Sequence, residues 1–287
     1  MDKRLRNIDL HMHTTVSDGT DTPEMLIDAV KAAGIEVFSA TDHDAVKTGL
    51  IIRSRLLPGD PVFITGAEFS CKDEEGKYHI LGYGFDPAGA PITELVQKSH
   101  ALRMKKVELR LDYIKKEFGF GFSKEDTDAL YALDNPGKPH IANLMVKYGY
   151  APDKNTAMRD YLNRVRSGSE YLRPEEAIAA IAASGGIPVL AHPFYGSGDE
   201  LILGDEMEAR LHRLIGMGLR GAEAFYSGFS AKLRDNMLSL AQKFRLYVTA
   251  GSDYHGANKL VTPGDTGLSE HGEMPEGLER FLKDAIK

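Results

Sequence analysis

The chain has 287 residues, 42% of them hydrophobic and 27% charged, with ordinary glycine and proline counts of 29 and 13; it is a globular chain long enough to bury a substantial core, not a disordered or fibrous one. Lys and Arg total 35 against 42 Asp and Glu, and the formal charge of −7 excludes stable binding to duplex nucleic acid driven by overall charge while leaving room for a local cationic pocket. The single cysteine, Cys71, excludes a disulfide framework, and the lack of any long apolar run or signal-peptide stretch makes a cytoplasmic protein without membrane contact the expectation.

Ile8–His13 reads as the first strand. Thr22 as a cap and Pro23 at the first helical position announce a helix with the apolar stripe Leu26, Ala29, Val30 and Ala33, stopped by Gly34. Val37–Ala40, Val62–Thr65 and His79–Phe85 are the next strands. From Ile92 the apolar spacing turns helical through Leu95, Val96, Leu102, Leu109, Tyr113 and Ile114 to Phe118, with further helical pieces around 142–147 and 155–166. Residues 91–185 are therefore expected as a helical insertion covering the active site, and 1–90 with 186–287 as the body that carries it. A helix from Pro174 stops at Gly185-Gly186; strands follow at Ile187–Ala191, Ala222–Tyr226 and Leu246–Ala250, separated by helices around Glu206–Met217 and Ala231–Lys243, and a last helix runs from Pro275. About seven strands alternating with helices predict an α/β fold, a distorted parallel (β/α)7 barrel with a helical insertion.

The histidines and carboxylates crowd the C-terminal ends of these strands, the face on which parallel barrels build their sites. His11 and His13 follow strand one and point to the same side of extended chain; Asp18 comes soon after. His43 follows strand two, Glu68 strand three, and His79 opens strand four. His192 follows strand five, and Asp253 and His255 follow the last strand. One such histidine is usually structural, but nine donors gathered without cations would cost much desolvation and like-charge repulsion. Nine nitrogen and oxygen donors are too many for one ion and enough for two or three, so the cluster reads as multinuclear.

The segments DLHMHTTVSDGTDTP, ATDHDA, TGAEFS, YHILGYGFD, VLAHPF and AGSDYHG resemble, in order, the polymerase and histidinol phosphatase (PHP) superfamily of metal-dependent phosphoesterases. Their wording is most similar to the bacterial branch of nucleoside 3′,5′-bisphosphate phosphatases and small-phosphoester hydrolases. The resemblance implies that His11, His13, Glu68 and Asp253 hold one ion, Glu68, His79 and His192 a second, and Asp18, His43 and His255 a third. It also implies two to three divalent transition-metal ions, manganese first, with iron or zinc as alternatives. Asp9 and Asp42 stand beside ligand histidines as candidates to orient them, or else as turn caps. Tyr254, between Asp253 and His255, departs from the pattern and is expected to alter the pocket wall.

Two cations sharing Glu68 would hold a bridging hydroxide that attacks phosphorus, with Glu68, Asp253 and His255 at the catalytic centre. The expected partner is a small phosphorylated substrate. A second phosphate on it calls for cations beyond the metals, and Lys138, His140 and Arg103 are the candidates, with Lys105 and Arg164 behind them. Gly137-Lys138-Pro139-His140 resembles a family segment that often carries Arg before Pro, so Lys138 keeps the charge and loses the fork. Phe194, Tyr195, Phe225 and Tyr226 are read either as stacking surfaces for a base or sugar or as aromatic packing. His100, His212, His271 and Cys71 read as structural. The alternatives are a 5′-end exonuclease on short RNA or DNA, a histidinol-phosphate phosphatase and a non-catalytic phosphate-binding scaffold; a metal-dependent amidohydrolase is a further option on barrel grounds alone, but no Lys follows a strand in the bridging manner that class expects, and Glu68 takes that place.

Overall fold

Short apolar runs in the first third pair as a parallel sheet in the order β1 (Ile8–Asp9), β2 (Val37–Phe38), β3 (Val62–Phe63). A second sheet takes its five strands in chain order: β4 (Gly66–Asp73), β5 (Gly76–Tyr83), β6 (Ile187–Leu190), β7 (Gly221–Tyr226) and β8 (Tyr247–Gly251). The computed structural model that carries these strands describes residues 7–165, 170–196 and 201–286. Its helices are α1 (Pro23–Ala32), α2 (Lys47–Arg55), α3 (Ala90–Phe118), α4 (Lys124–Tyr131), α5 (Lys138–Lys147), α6 (Lys154–Thr156), α7 (Pro174–Ala183), α8 (Gly204–Gly216), α9 (Ala231–Phe244), α10 (Leu268–His271) and α11 (Glu276–Ala285). The chain divides into two compact units, Met1–Val96 with Leu172–Lys287, and Gln97–Tyr171.

In the first unit, α1 forms as the sequence suggests. Thr22 accepts from the Met25 amide and Pro23 stands in the first turn. Its buried face is Leu26, Ile27 and Val30; Ile27 takes the place expected of Ala33, which is exposed. These side chains pack with Met12, Ile35, Phe38, Ala40 and Ile52 in one apolar cluster. Helix α7 lies against β4, β5 and β6, α9 against β7, and α11 against β8.

Strand pairing departs from the all-parallel expectation. β4 is a strand to which the sequence reading assigns no element, and it pairs antiparallel with β5, which pairs antiparallel with β6. Only β6, β7 and β8 continue in parallel. A two-residue turn, Glu74-Glu75, reverses the chain. The Asp73 carboxylate accepts from the Glu75 amide at 2.9 Å, the Gly76 amide at 3.2 Å and the Tyr78 hydroxyl at 3.0 Å, which pins the hairpin.

The second unit is all helical among its described residues. Val107, Ile114, Leu130, Ile141, Ala142, Met145, Ala151, Ala157 and Leu162 form its core, flanked by Phe118, Phe120, Tyr150 and Tyr161. The chain expected as a helix over 155–166 is, up to residue 164, α6 continued by a π turn at Ala157–Tyr161 and a 3₁₀ turn at Leu162–Arg164, and residue 166 lies outside the described residues.

Candidate metal centre

Backbone alternation aims the first pair of imidazoles. Past β1, Leu10 and Met12 are fully buried in the core, so His11 and His13 turn to the opposite side. Asp9 holds that chain in place, accepting from the amides of His11 (3.2 Å), Ser252 (3.0 Å) and Gly264 (2.8 Å). His43 pairs with Glu68 through an isolated bridge that extends β2 onto β4. Across the hairpin Glu68 faces Leu81 and Ser70 faces His79, so Glu68 and His79 are diagonal neighbours. His192 and Asp253 follow β6 and β8 in left-handed backbone, with φ of 26° and 58°. Such conformations cost about 1–3 kcal/mol and persist where surroundings fix them. Here the His192 amide donates to Glu223 Oε2 (2.8 Å) and the Asp253 amide to the His11 carbonyl (2.8 Å).

The nine residues form one contiguous cluster, in which five of the histidines face Glu68. Its Oε2 lies 3.0 Å from His43 Nδ1 and 3.3 Å from both His11 Nε2 and His13 Nε2; its Oε1 lies 2.9 Å from His79 Nδ1 and 3.1 Å from His192 Nε2. Asp253 Oδ1 is 3.6 Å from His11 Nε2 and 3.4 Å from His13 Nε2. Asp18 Oδ1 is 3.3 Å from His255 Nε2, 3.9 Å from His13 Nδ1 and 4.0 Å from His43 Nε2. Four overlapping groups have donor atoms within 4.8 Å of one another: His13, Asp18, His43 and His255; His11, Glu68 and His192; His11, His13 and Asp253; His43, Glu68 and His79.

The donor set fits divalent ions. His11 Nε2, His13 Nε2, His79 Nδ1 and Glu68 Oε2 are buried and close, yet too misaligned to hydrogen-bond. A buried polar atom left so costs about 1–3 kcal/mol. Lone pairs converging on shared space, rather than on each other, are what a cation satisfies, and imidazole and carboxylate suit manganese, iron or zinc alike.

Charges within the cage are strongly coupled. Burial works against ionised Glu68, but the imidazoles of His79, His43 and His11 hold it well below its ordinary range. Asp253 is held low against burial by His11, His13 and Lys259, and Asp18 by His43, His255 and His13. Burial disfavours protonated His11, yet Glu223, Glu68 and Asp253 raise it well above its usual value; His13 is lifted to about 9 against burial by Asp253 and Glu68. Burial pushes His79 down to about 4, and burial with the nearby His13 charge lowers His255. Burial raises Asp9 to about 6 despite the amides it accepts from.

Two residues at this site escaped the sequence reading. Glu223, fully buried on β7, accepts from His11 Nδ1 at 3.0 Å, in addition to the His192 amide. A lone carboxylate inside the apolar run Ala222–Tyr226 was the available signal. Lys259 pairs with Asp253 Oδ2, which also accepts from Tyr226 at 3.0 Å. A cleft of about 360 Å³ opens over His43, Glu68, His79, His192, Asp253 and His255, with Tyr195, Tyr226, Gly228 and Lys259 on its walls.

Other candidates fall elsewhere. Asp42 accepts from the Thr14 amide (2.8 Å), the Thr14 hydroxyl (2.7 Å) and the Ser17 hydroxyl, so it and Asp9 brace loops rather than rings. Tyr254, expected in the pocket wall, instead packs on the α1 core and donates to Asp21 at 2.7 Å. Phe194 and Phe225 are buried, leaving Tyr195 and Tyr226 on the cleft. In the second unit, His140 Nδ1 accepts from the Gly137 amide at 3.1 Å, Lys138 donates to Asn163 at 2.6 Å, and the Arg103 guanidinium lies against Gly137. Lys105 and Arg164 are exposed.

Comparison with known proteins gives a consistent group of relatives. The phosphoribosyl 1,2-cyclic phosphate 1,2-diphosphodiesterase of Eggerthella lenta is 30% identical over 258 residues, 86% of this chain and 94% of that one. The 3′,5′-nucleoside bisphosphate phosphatase of Chromobacterium violaceum is 28% identical over 276 residues, 92% and 90% of the two chains. A 5′-3′ exoribonuclease of Haemophilus influenzae is 29% identical over 256 residues, 87% and 90%. A solved structure from Bifidobacterium adolescentis superposes with a TM-score of 0.81 over 100% of this chain and 99% of that one, at 24% identity, a likeness of fold. No family model matches the chain.

Proposed function

The chain belongs to the PHP superfamily of metal-dependent phosphoesterases, and from that premise we propose that it hydrolyses small phosphate esters, a nucleoside bisphosphate or a ribose phosphate including a cyclic diester, at the Glu68 cage. The observation that carries the proposal is the convergence of six imidazoles and three carboxylates with buried, unsatisfied donor atoms. His11, His13, Glu68 and Asp253 are assigned to one ion, Glu68, His79 and His192 to a second, and Asp18, His43 and His255 to a third, supported by the contacts Glu68 makes through both oxygens. Divalent ions, manganese first, would supply a nucleophile from water at neutral pH and neutralise charge developing on the phosphoryl oxygens.

The protein's own residues do the rest. Glu223 accepts from His11 Nδ1, so Nε2, beside Glu68 and Asp253, is the nitrogen that would give up its proton to an ion. Glu68, Asp253 and His255 take the catalytic centre because they line the cleft in which an ester must sit. Arg103, Lys138 and His140 are assigned to a further phosphate, on the strength of their grouping around the start of α5. The first unit is read as a distorted barrel, supported by backbone bonds from Leu10 to Ala250 and from Gly84 to Thr65 that join the two sheets.

Manganese-loaded protein should release inorganic phosphate or open the diester in a panel of nucleoside bisphosphates, ribose phosphates and cyclic ribose phosphates. No turnover of any of them with manganese, iron or zinc would overturn the proposal. A second reading, trimming of RNA from its 5′ end, is favoured by the similarity to the H. influenzae exoribonuclease. Shortening of a 5′-phosphorylated oligoribonucleotide much faster than hydrolysis of a bisphosphate would put that reading first.

A further inference from the structure

Asp253 divides its two oxygens between different surroundings. Oδ1 faces the imidazoles, 3.4 Å from His13 Nε2, 3.6 Å from His11 Nε2 and 3.4 Å from His255 Nδ1. Oδ2 faces the cleft, where it accepts from the Tyr226 hydroxyl at 3.0 Å and pairs with the Lys259 ammonium. The Lys259 side chain is 40% exposed while that of Asp253 is 7% exposed, so the pair joins a buried carboxylate to a cation at the cleft wall. Among the described residues lining the cleft, Lys259 is the only lysine or arginine, and Glu68 lines the same cleft.

We propose that Lys259 is a substrate-binding residue. Its ammonium neutralises Asp253 Oδ2 while the cleft is empty and pairs with an anionic oxygen of the phosphate ester when one is bound. The inference rests on the phosphoesterase reading of the same site. A lysine is suited to such an exchange, being a compact charge with three donors on a flexible stem. Asp253 tolerates the departure, because Tyr226 still donates to Oδ2 and the imidazoles still face Oδ1. The cleft is near the small end for ligand sites, at about 360 Å³, so a phosphate within it stays close to the one permanent cation on its described walls.

The test is Lys259→Met in the full chain loaded with manganese, which keeps most of the stem and removes the charge. Binding of inorganic phosphate, followed by isothermal titration calorimetry, should weaken by about tenfold or more, the usual consequence of losing a charge-assisted hydrogen bond. The KM for 4-nitrophenyl phosphate should rise by a similar factor with a smaller change in kcat, and Lys259→Arg should recover most of both. Metal content, measured by mass spectrometry, should match the wild type. Phosphate affinity within twofold of wild type overturns the proposal. So does a Lys259→Met protein that loses metal, since that would mean the lysine serves to hold Asp253. An active wild type with an unchanged variant sinks this inference alone, whereas a wild type that neither binds phosphate nor hydrolyses any ester sinks the phosphoesterase reading with it.

Discussion

Glu223 and His11 lie 212 positions apart in sequence and meet at 3.0 Å, carboxylate Oε1 against imidazole Nδ1, both fully buried. The contact fixes which ring nitrogen faces the cage, and the other oxygen of the same carboxylate holds the His192 amide at 2.8 Å. Glu223→Ala removes both supports at once. Metal affinity in a competition titration should fall about 10–100-fold, the range seen when a residue behind a ligand histidine is lost. Glu223→Gln keeps the volume but can accept through only one oxygen, so it should fall between Ala and wild type. An unchanged affinity in both variants would contradict the orienting role.

Gly251 is required by the same relationship. A Cβ at that position would stand 2.2 Å from His11 Cβ and 2.4 Å from Glu223 Oε1. Gly251→Ala should therefore destabilise the fold by about 1–3 kcal/mol in urea denaturation, through overpacking, and lower metal content. Gly216, at the end of α8, has nothing within 4 Å of its would-be Cβ and no left-handed backbone. Gly216→Ala is the contrasting case and should stabilise by about 0.4–1 kcal/mol, by restricting the unfolded chain. Equal effects of the two substitutions would refute the steric argument.

His11 and Glu223 mark where the sequence is readable and where it is not. His11, His13, His43, His192, Asp253 and His255 announce themselves because polar donors recur directly after apolar runs, and in an α/β fold those run ends gather on one side. Glu68 and His79 are legible as donors, but their hairpin is less so: Ala67, Phe69 and Cys71 alternate with Glu68, Ser70 and Lys72 as in a strand, but the segment follows β3 so closely that the two read as one element until Asp73 is seen to pin the turn. Glu223 hides in an alanine-rich strand because its partner is remote in the chain, and nothing local says that its charge is answered. Lys259 hides for the opposite reason, being one of many lysines in polar chain until Asp253 gives it a place.

Alkaline pH should expose a different weakness, in the hairpin brace. Burial pushes the Tyr78 hydroxyl up to about 12, helped by the Asp73 contact and opposed by the charges of Arg210 and Arg213. The ordinary tyrosine value is about 10. Up to about pH 10 both folded and unfolded chains keep the proton, so the contribution is intact. Between about pH 10 and pH 12 the unfolded chain loses it first, and stability drains as pH rises. Urea midpoints across that window should fall more steeply for wild type than for Tyr78→Phe, which has no proton to lose. Parallel pH dependences would show that the Tyr78 hydroxyl is not the group responsible.

Glu68 gives the most severe expected loss. It lies within ion-pair distance of His11, His13 and His43 through one oxygen and of His79 and His192 through the other, five of the proposed ligands in all. Removing it would take a ligand from both of the ions proposed to share it and leave five imidazoles without their shared counter-charge. Wild-type protein should gain thermal stability on adding manganese, because an ion that binds only the folded state shifts unfolding by mass action, and should lose that gain with EDTA. The gain should shrink as pH drops, since protons compete for the imidazoles. Glu68→Ala should show neither a manganese-dependent rise in Tm nor measurable ester hydrolysis, while Glu68→Asp, which keeps the charge on a shorter arm, should keep part of the rise. Wild-type turnover in Glu68→Ala would mean that the chemistry takes place somewhere other than this cage.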